Sequence, residues 1–531
     1  MMTGLLGRQP ATEVTPQMAD IIHDNATWYG GRPALMQDET CLTWAECEVR
    51  MTTWLQWLEQ FGVERFDRVA VLARNRIDYV ILQYALAEMG GVLVPINTRL
   101  HPAEIARIIE DCDPVVFMYE PEFGRDGLDL ASVSGCRAVP LAPSDAGGGL
   151  WAVELIDADR RRARGIGRER SVDWDHPVAI LYTGGTTGQA KGVVVGHRRN
   201  IVDGLSVIAA MGVRSHERFL CCGPLSHTAA WDYIKAYFLC GGGVVLMDRF
   251  EGSLSVRQIE RWQCNGLWAV PLMLREMIEA SEFSCADLSS LRLVAYSAYD
   301  PSELLGEILR AFRQQGAEDL LLAHGYGLSE AGPFVTVLRP GTDIDELHTV
   351  GTPVPGASVR ILDEEGRPLP PGSIGEVCVR SAATMNGYWR NETATEEMFR
   401  GGWLHTGDLG RVTRSGHLVI EGRLKDMIRT AGENVYAKEV ELAIVEHPAV
   451  LDCAVIGKRD ERYDERVVAI VVPASAHSVK ADDIRAFVGD RIASFKVPKE
   501  VLFVETLPKT AAGKTDKPAL RDRYGDGVKL S

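Results

Sequence analysis

The feature that most constrains this chain is an alternation of short apolar runs with longer helix-like stretches. Arg68 to Leu72 is a short apolar run. Ile77 to Met89 has the length and composition of a buried helix, stopped by Gly90 and Gly91. Val92 to Ile96 is the next apolar run, which completes a βαβ pattern. The alternation resumes at His176 and continues to Gly327, through VAILY, FLCC, VVLM, LWAV, LRLVAY and LLLAHGY. Strands separated by helices of this length form parallel sheets covered by helices. The expected class is therefore α/β.

Beyond about Gly351 the pattern changes. The short runs SVRIL, EVCVR and HLVIEG, separated by Gly and Pro turns, predict a β-rich part. From Asp426 a small α+β pattern returns, with amphipathic helices near Lys438 to Val445 and Ala481 to Ile492. This places a boundary close to Lys425. Residues 1–424 are expected to form an N-terminal domain, with the β-rich subdomain at about 350–423, and residues 425–531 a smaller one. Six arginines lie between Arg160 and Arg170, and a solvated face accounts for them better than a functional patch.

Composition excludes some tasks. A net charge of −16 argues against sequence-independent nucleic-acid binding. The 11 cysteines are scattered, without C-x-x-C pairs or zinc-ligand spacing, and read as reduced thiols. No signal-peptide pattern opens the sequence. The most apolar long window, Val80 to Ile96, is interrupted by Gln83, Glu88 and two glycines, so it does not span a membrane. A cytoplasmic location is expected.

The segment from Tyr182 to Gly192, YTGGTTGQAKG, follows the strand-like run VAILY. Thr183, Gly184, Gly185, Thr186, Thr187 and Gly188 combine backbone that approaches an anion closely with hydroxyl donors. Lys191 adds charge. The spacing is not that of the P-loop G-x-x-x-x-G-K-[ST], so P-loop NTPase chemistry is not indicated. The segment resembles the phosphate-binding signature of the adenylate-forming superfamily, which includes acyl-CoA synthetases, amino-acid adenylation domains and beetle luciferases. Gly184 stands where that signature commonly has Ser, and Ala190 where it has Pro; neither removes the donor array.

Further motifs follow in that family's order. Tyr326-Gly327-Leu328-Ser329-Glu330 is similar to YGxTE. The resemblance implies that Tyr326 stacks on adenine, Ser329 bonds near the α-phosphate, and Glu330, with Thr183, holds Mg²⁺. A carboxylate suits that hard cation. Gly402 to Asp408 matches GWxxTGD, with Asp408 on the ribose hydroxyls. Arg423 precedes Lys425, which sits at the family's hinge position. Pro508 to Lys514 resembles PxTxxGK and makes Lys514 the catalytic lysine. A lysine bridging carboxylate and α-phosphate offsets their repulsion. Lys499, Lys509 and Lys517 read as surface charges.

The resemblance spans about Asn25 to Arg523. It implies a large domain of two flavodoxin-like αβ sheets plus a small β-barrel, and a small mobile α+β C-terminal domain. That domain turns about Lys425 after adenylation, so that the loop bearing Gly432, Glu433 and Asn434 serves thioester formation. A homodimer is compatible with it. ATP, Mg²⁺ and coenzyme A are the implied ligands.

The acid side is less regular. Pro224-Leu225-Ser226-His227 resembles the PxxH element whose His lies near the substrate carboxylate. Aligning Trp231 places His227 where amino-acid adenylation domains carry an Asp, which argues against an amino-acid substrate. A plain helix cap is the competing reading of His227. Tyr296, Ser297 and Ala298 replace the usual Gly-rich pocket strand, and Gly325 precedes the adenine-stacking Tyr326. The expected substrate is a compact, medium-chain or aromatic carboxylic acid. The expected acceptor is coenzyme A, with a separate carrier protein as the alternative, because the chain ends shortly after Lys514.

Overall fold

The strands of the α/β part assemble into two mostly parallel sheets in the computed structural model. It describes residues 16–124, 136–141, 173–183, 190–296, 302–339, 349–430, 433–460, 463–474, 479–510 and 513–525. Contacts divide the chain into two compact units, Met1–Ser358 with Val379–Leu404, and Val359–Cys378 with His405–Ser531.

The first unit carries both large sheets. In one, the strands Pro177–Thr183, Val92–Pro95, Arg68–Leu72, Val116–Tyr119 and Arg137–Pro140 lie side by side and parallel. Lys191–Gly196 and Gly387–Tyr388 extend it antiparallel. The other sheet has nine strands. Its parallel centre runs Gly243–Leu246, Arg218–Cys221, Gly266–Ala269, Leu293–Tyr296, Leu321–Leu328. Numbered along the chain, that is the flavodoxin-like order 2-1-3-4-5. The expected α/β class and the two flavodoxin-like sheets are thus present.

Alternation decides what each face of this sheet buries. Phe219, Cys221 and Ala295 join a core with Trp231, Tyr233 and Phe334. Leu220, Val294 and Tyr296 face the other way, onto Ile259, Leu274 and Phe312. Full burial of side chains of this size contributes roughly 1.5–3 kcal/mol each. The helix Ile77–Met89 is buried on nearly all sides, which explains its continuous apolar sequence. Other helices begin at local signals. Thr43 starts Trp44–Gln60 with a capping box, in which its amide and its hydroxyl both engage Glu46.

One side chain links the two sheets at their carboxyl ends. Asn75 Nδ2 donates to the carbonyls of Gly223 and Met247 at 2.8 and 2.9 Å. Its Oδ1 accepts from the Leu225 amide at 2.8 Å. All three partners are main-chain atoms, so the loop before His227 is fixed by its backbone.

The second unit contains most residues of a four-stranded sheet of Ala357–Leu362, Gly375–Ser381, Leu404–Val412 and Leu418–Arg423. It also contains the C-terminal α+β layer. There Glu433–Tyr436, Met427–Thr430, Asp464–Pro473 and Val450–Asp460 lie in order, with Glu500–Phe503 beside Asp464–Pro473. Helices Ala437–Val445 and Ala481–Gly489 cover its apolar face. The second helix ends three residues before the expected Ile492, at a C-cap on Asp490. Lys425 lies in the single turn Leu424–Asp426. None of the described helices is long and apolar enough to cross a membrane, and none of the eleven cysteines is in a disulfide.

Candidate active site

The expected phosphate loop joins two antiparallel neighbours. Thr183 pairs with Lys191 and Tyr182 with Gly192. Gly184, Gly185, Thr186, Thr187 and Gly188 lie outside the described residues, as do Ser297, Ala298 and Gly432. The Tyr182 hydroxyl bonds Asp111.

Lys191 and Glu330 meet through a residue the motifs did not single out. The Lys191 ammonium lies 5.0 Å from the centre of the Tyr388 ring. The Tyr388 hydroxyl donates to Glu330 Oε1 at 2.8 Å. Burial, then the Glu330 charge, push the Tyr388 phenol well above its ordinary value, so it stays a donor. Glu330 is half-buried, and its carbonyl accepts from the Met385 amide at 2.8 Å. Tyr326, at the carboxyl end of Leu321–Leu328, pairs with Thr336, and Ser329 follows in the turn. Gly325 lets Phe334 press onto the main chain; a Cβ there would stand 2.7 Å from the ring.

In the nine-stranded sheet the strand order reverses between Arg218–Cys221 and Gly266–Ala269. Ligands of doubly wound sheets bind outside the carboxyl ends at such a point. His227 and Trp268 stand there, their rings 6.4 Å apart and within 18° of parallel. The Trp268 indole also lies against Gly223, where a Cβ would be 2.8 Å from Cζ3. His227 is also the N-cap of Thr228–Leu239, with Nδ1 accepting from the Ala229 amide at 3.3 Å. That bond leaves the ring proton of the neutral imidazole on Nε2. The capping reading of His227 is therefore correct in geometry, and it orients the ring. Trp231 Nε1 donates to the Leu225 carbonyl at 2.6 Å and braces the same loop. Tyr296 lies on the opposite face of the sheet from Trp231, stacked on His324 at 4.6 Å.

The second unit gathers the remaining candidates. Asp408 is buried and lies opposite Arg423 in the strand pair, whose Nε is 2.7 Å from Oδ1. The turn before Asp408 is held from below. Thr406 Oγ1 donates to the Val377 carbonyl and accepts from the Asp408 amide, while Glu376 accepts from the Gly407 amide and pairs with His405 at 2.7 Å. Cys378 Sγ lies 3.4 Å from the same His405 Nδ1. Carboxylate and ring are already at hydrogen-bond distance, so the trio reads as a brace for the Asp408 strand.

Lys514 reaches solvent, yet protein atoms crowd its amine. That crowding, then Arg423, lower its pKa, and Asp408 opposes them. Asp408, Gly422, Arg423, Tyr436, Lys438 and Lys517 line a cavity of about 230 Å³. Lys517 pairs with Glu441 at 2.6 Å and is half-buried, so it is not the surface charge expected. Glu433 and Asn434 lie exposed at the end of a hairpin, paired with Thr430 and Arg429. Lys425 is exposed beside Asp426, which holds Arg521 at 2.5 Å.

Comparison with known proteins agrees with these features. The family model for AMP-binding enzymes matches residues 22–389, and that for the AMP-binding enzyme C-terminal domain matches 439–514. A feruloyl-CoA synthase of Amycolatopsis sp is 33% identical over 95% of this chain and 96% of its own length. The fatty acid–[acyl-carrier-protein] ligase ScoC of Streptomyces coeruleorubidus is 33% identical over 94% of each. The solved amide bond synthetase McbA from Marinactinospora thermotolerans superposes with a TM-score of 0.81 at 30% identity, over 95% of this chain and 99% of that one. The chain belongs to the AMP-binding family of adenylate-forming enzymes, in its acyl-CoA ligase branch.

Proposed function

We propose that this enzyme activates a carboxylic acid with ATP and transfers the acyl group to the thiol of coenzyme A. In the first step the carboxylate oxygen bonds the α-phosphorus and pyrophosphate leaves. In the second the thiol sulfur, giving up its proton, bonds the acyl carbon and AMP leaves. The observation that carries the reading is the buried Asp408 held by Arg423, with the Lys514 amine in the same electrostatic neighbourhood. A carboxylate held in place is suited to a vicinal diol, and a lysine to an α-phosphate.

Thr183 to Gly188 and Lys191 bind the phosphates, Tyr326 the adenine, Ser329 the α-phosphate region, Asp408 and Arg423 the ribose. Magnesium fits the donors of Glu330 and Thr183: Oε1 accepts from Tyr388, and no hydrogen bond from a described residue engages Oε2. When bound, the ion offsets charge on the departing pyrophosphate. Lys514 neutralises the approaching carboxylate and phosphate. The hairpin containing Gly432, Glu433 and Asn434 serves thioester formation, with Lys425 as pivot and domain boundary.

The acid is compact, medium-chain or aromatic, and lies among His227, Trp231, Trp268, Gly325 and the end of the strand Leu293–Tyr296. Stacking of Trp268 on His227 favours a flat acyl group. Loading of a carrier protein is the second reading, favoured by the similarity to ScoC. A panel of acids incubated with ATP, Mg²⁺ and either coenzyme A or a phosphopantetheinylated carrier protein tests both. Acid-dependent pyrophosphate, AMP and acyl-CoA are expected by mass spectrometry. No acid-dependent pyrophosphate across the panel would reject adenylation. Acylation of the carrier alone would reject coenzyme A.

A further inference from the structure

Two helices of the first unit, His197–Met211 and Thr228–Leu239, enclose four ionisable side chains. Arg199, Asp203, Asp232 and Lys235 are each at most 2% exposed. Lys235 bonds Asp232 Oδ1 and donates to Asn200 Oδ1, the latter at 2.7 Å. Arg199 Nε is 3.8 Å from Asp203 Oδ2, outside hydrogen-bond range. Both oxygens of Asp203 and Oδ2 of Asp232 thus have no donor among the described residues. The two carboxyls are within bonding reach of each other, so a proton on one of them supplies the missing donor. An ionised carboxylate left buried without a donor costs several kcal/mol.

The position of Asp203 gives the pair a consequence. A Cβ on Gly332 would lie 3.0 Å from Asp203 Oδ1 and 3.2 Å from the Ala383 carbonyl. Gly332 has φ +94°, a conformation that glycine adopts readily. Two main-chain segments therefore meet at Gly332, and the Asp203 carboxyl faces that point. One is the turn that carries Glu330; the other leads to Met385, whose amide holds the Glu330 carbonyl. No side chain at 332 separates the acid from that turn.

We infer that Asp203 and Asp232 share one proton, and that this buried pair positions the turn bearing Glu330. The inference rests on the proposed role of Glu330 in using magnesium and ATP. Burial, then the Asp232 charge, raise the Asp203 pKa to about 8, against Arg199 and Lys235. The charged groups facing Asp203 are Arg199 on its own helix and Asp232 and Lys235 on the second; buried Tyr233 adjoins Asp232. Gly332 meets it with backbone. Loss of the proton sets an anion against Asp232 and beside the main chain at Gly332, and the turn yields.

Pyrophosphate release measured against pH at several Mg·ATP concentrations tests this. In the unsubstituted enzyme the KM for Mg·ATP is expected to rise by up to about tenfold per pH unit above pH 8. Asp203→Asn, which bears its own N–H donors, is expected to flatten that rise; Asp232→Asn carries the same expectation where the first variant folds poorly. Hydrogen exchange of the amides at 329–332 gives a readout that needs no turnover: their protection is expected to fall above pH 8 in the unsubstituted protein and to stay level in the variant. Parallel KM profiles and parallel protection in both proteins would overturn the inference. Absence of acid-dependent pyrophosphate from the unsubstituted protein would instead reject the proposed activity, while the exchange comparison would still decide the role of Asp203.

Discussion

The Tyr388 hydroxyl donates a 2.8 Å hydrogen bond to Glu330 Oε1, and the same ring lies 5.0 Å from the Lys191 ammonium. One aromatic side chain thereby spaces a cation and an anion that the motifs assign to the nucleotide. Removing the hydroxyl leaves the ring under Lys191 and frees Glu330. A hydrogen bond to a charged group contributes about 1.5–3 kcal/mol. Tyr388→Phe is expected to lower kcat/KM for Mg·ATP by roughly ten- to a hundredfold. Magnesium titration of pyrophosphate release checks this; an unchanged titration would leave Tyr388 a packing residue.

Lys514 is expected to separate the two half-reactions. Lys514→Ala is expected to lose adenylation by on the order of a hundredfold or more. It should still form thioester from a supplied acyl-adenylate. Equal loss of both steps would contradict separate roles for Lys514 and the hairpin at Glu433. The adenylating form needs the lysine charged, and its pKa is lowered by crowding and by Arg423. The alkaline limb of adenylation is therefore expected below the pH of an ordinary lysine, and Arg423→Gln should move it upward.

Trp268, stacked on His227, is expected to bias which acids are accepted. Aromatic stacking contributes roughly 0.5–1.5 kcal/mol beyond buried area. Trp268→Ala is expected to reduce kcat/KM for a planar aromatic acid, relative to an aliphatic acid of equal carbon number, by about three- to tenfold. Competition between one acid of each kind, read as acyl-CoA ratio, measures it directly. An unchanged ratio would move the acyl group away from Trp268.

His23 gives a stability effect remote from the chemistry. It lies between Glu48 and Glu88 at 2.9 and 3.2 Å. Those hydrogen bonds, Glu48 first, raise its pKa to about 9, against the effect of burial. A raised histidine stabilises the fold fully below its unfolded pKa of about 6.5. The contribution is lost as pH rises through about 9. The thermal midpoint should fall between pH 7 and pH 10 more steeply in the unsubstituted protein than in His23→Gln; parallel slopes would contradict it.

The parts legible from sequence are those in which one local run decides the outcome. Most central strands are short apolar runs and were legible as strands, whereas their division into two sheets came from the family resemblance. Asp408, Arg423 and Lys514 could be nominated from sequence because their motifs are contiguous. Tyr388 was not, because its role arises where Gly387–Tyr388 pairs with Val193 and Val194, far away along the chain. Trp268 sits inside an apolar run, and only the register with Phe219 and Leu220 turns it toward His227. The alternation that places Tyr296 with Val294 is visible in the sequence. Which helices cover that face is not. Lys517 looked solvated because its partner Glu441 lies 76 residues earlier.

Asn75 holds the loop ahead of His227 through carbonyls and an amide alone. Such an anchor does not read which side chains the loop bears. Residues bordering the acid can therefore be exchanged, by drift or by grafting from a relative, without resetting the frame that carries the adenylating groups. New acid preferences on this scaffold should accumulate in that loop, while Asn75 itself tolerates no replacement that lacks both an acceptor and two donors.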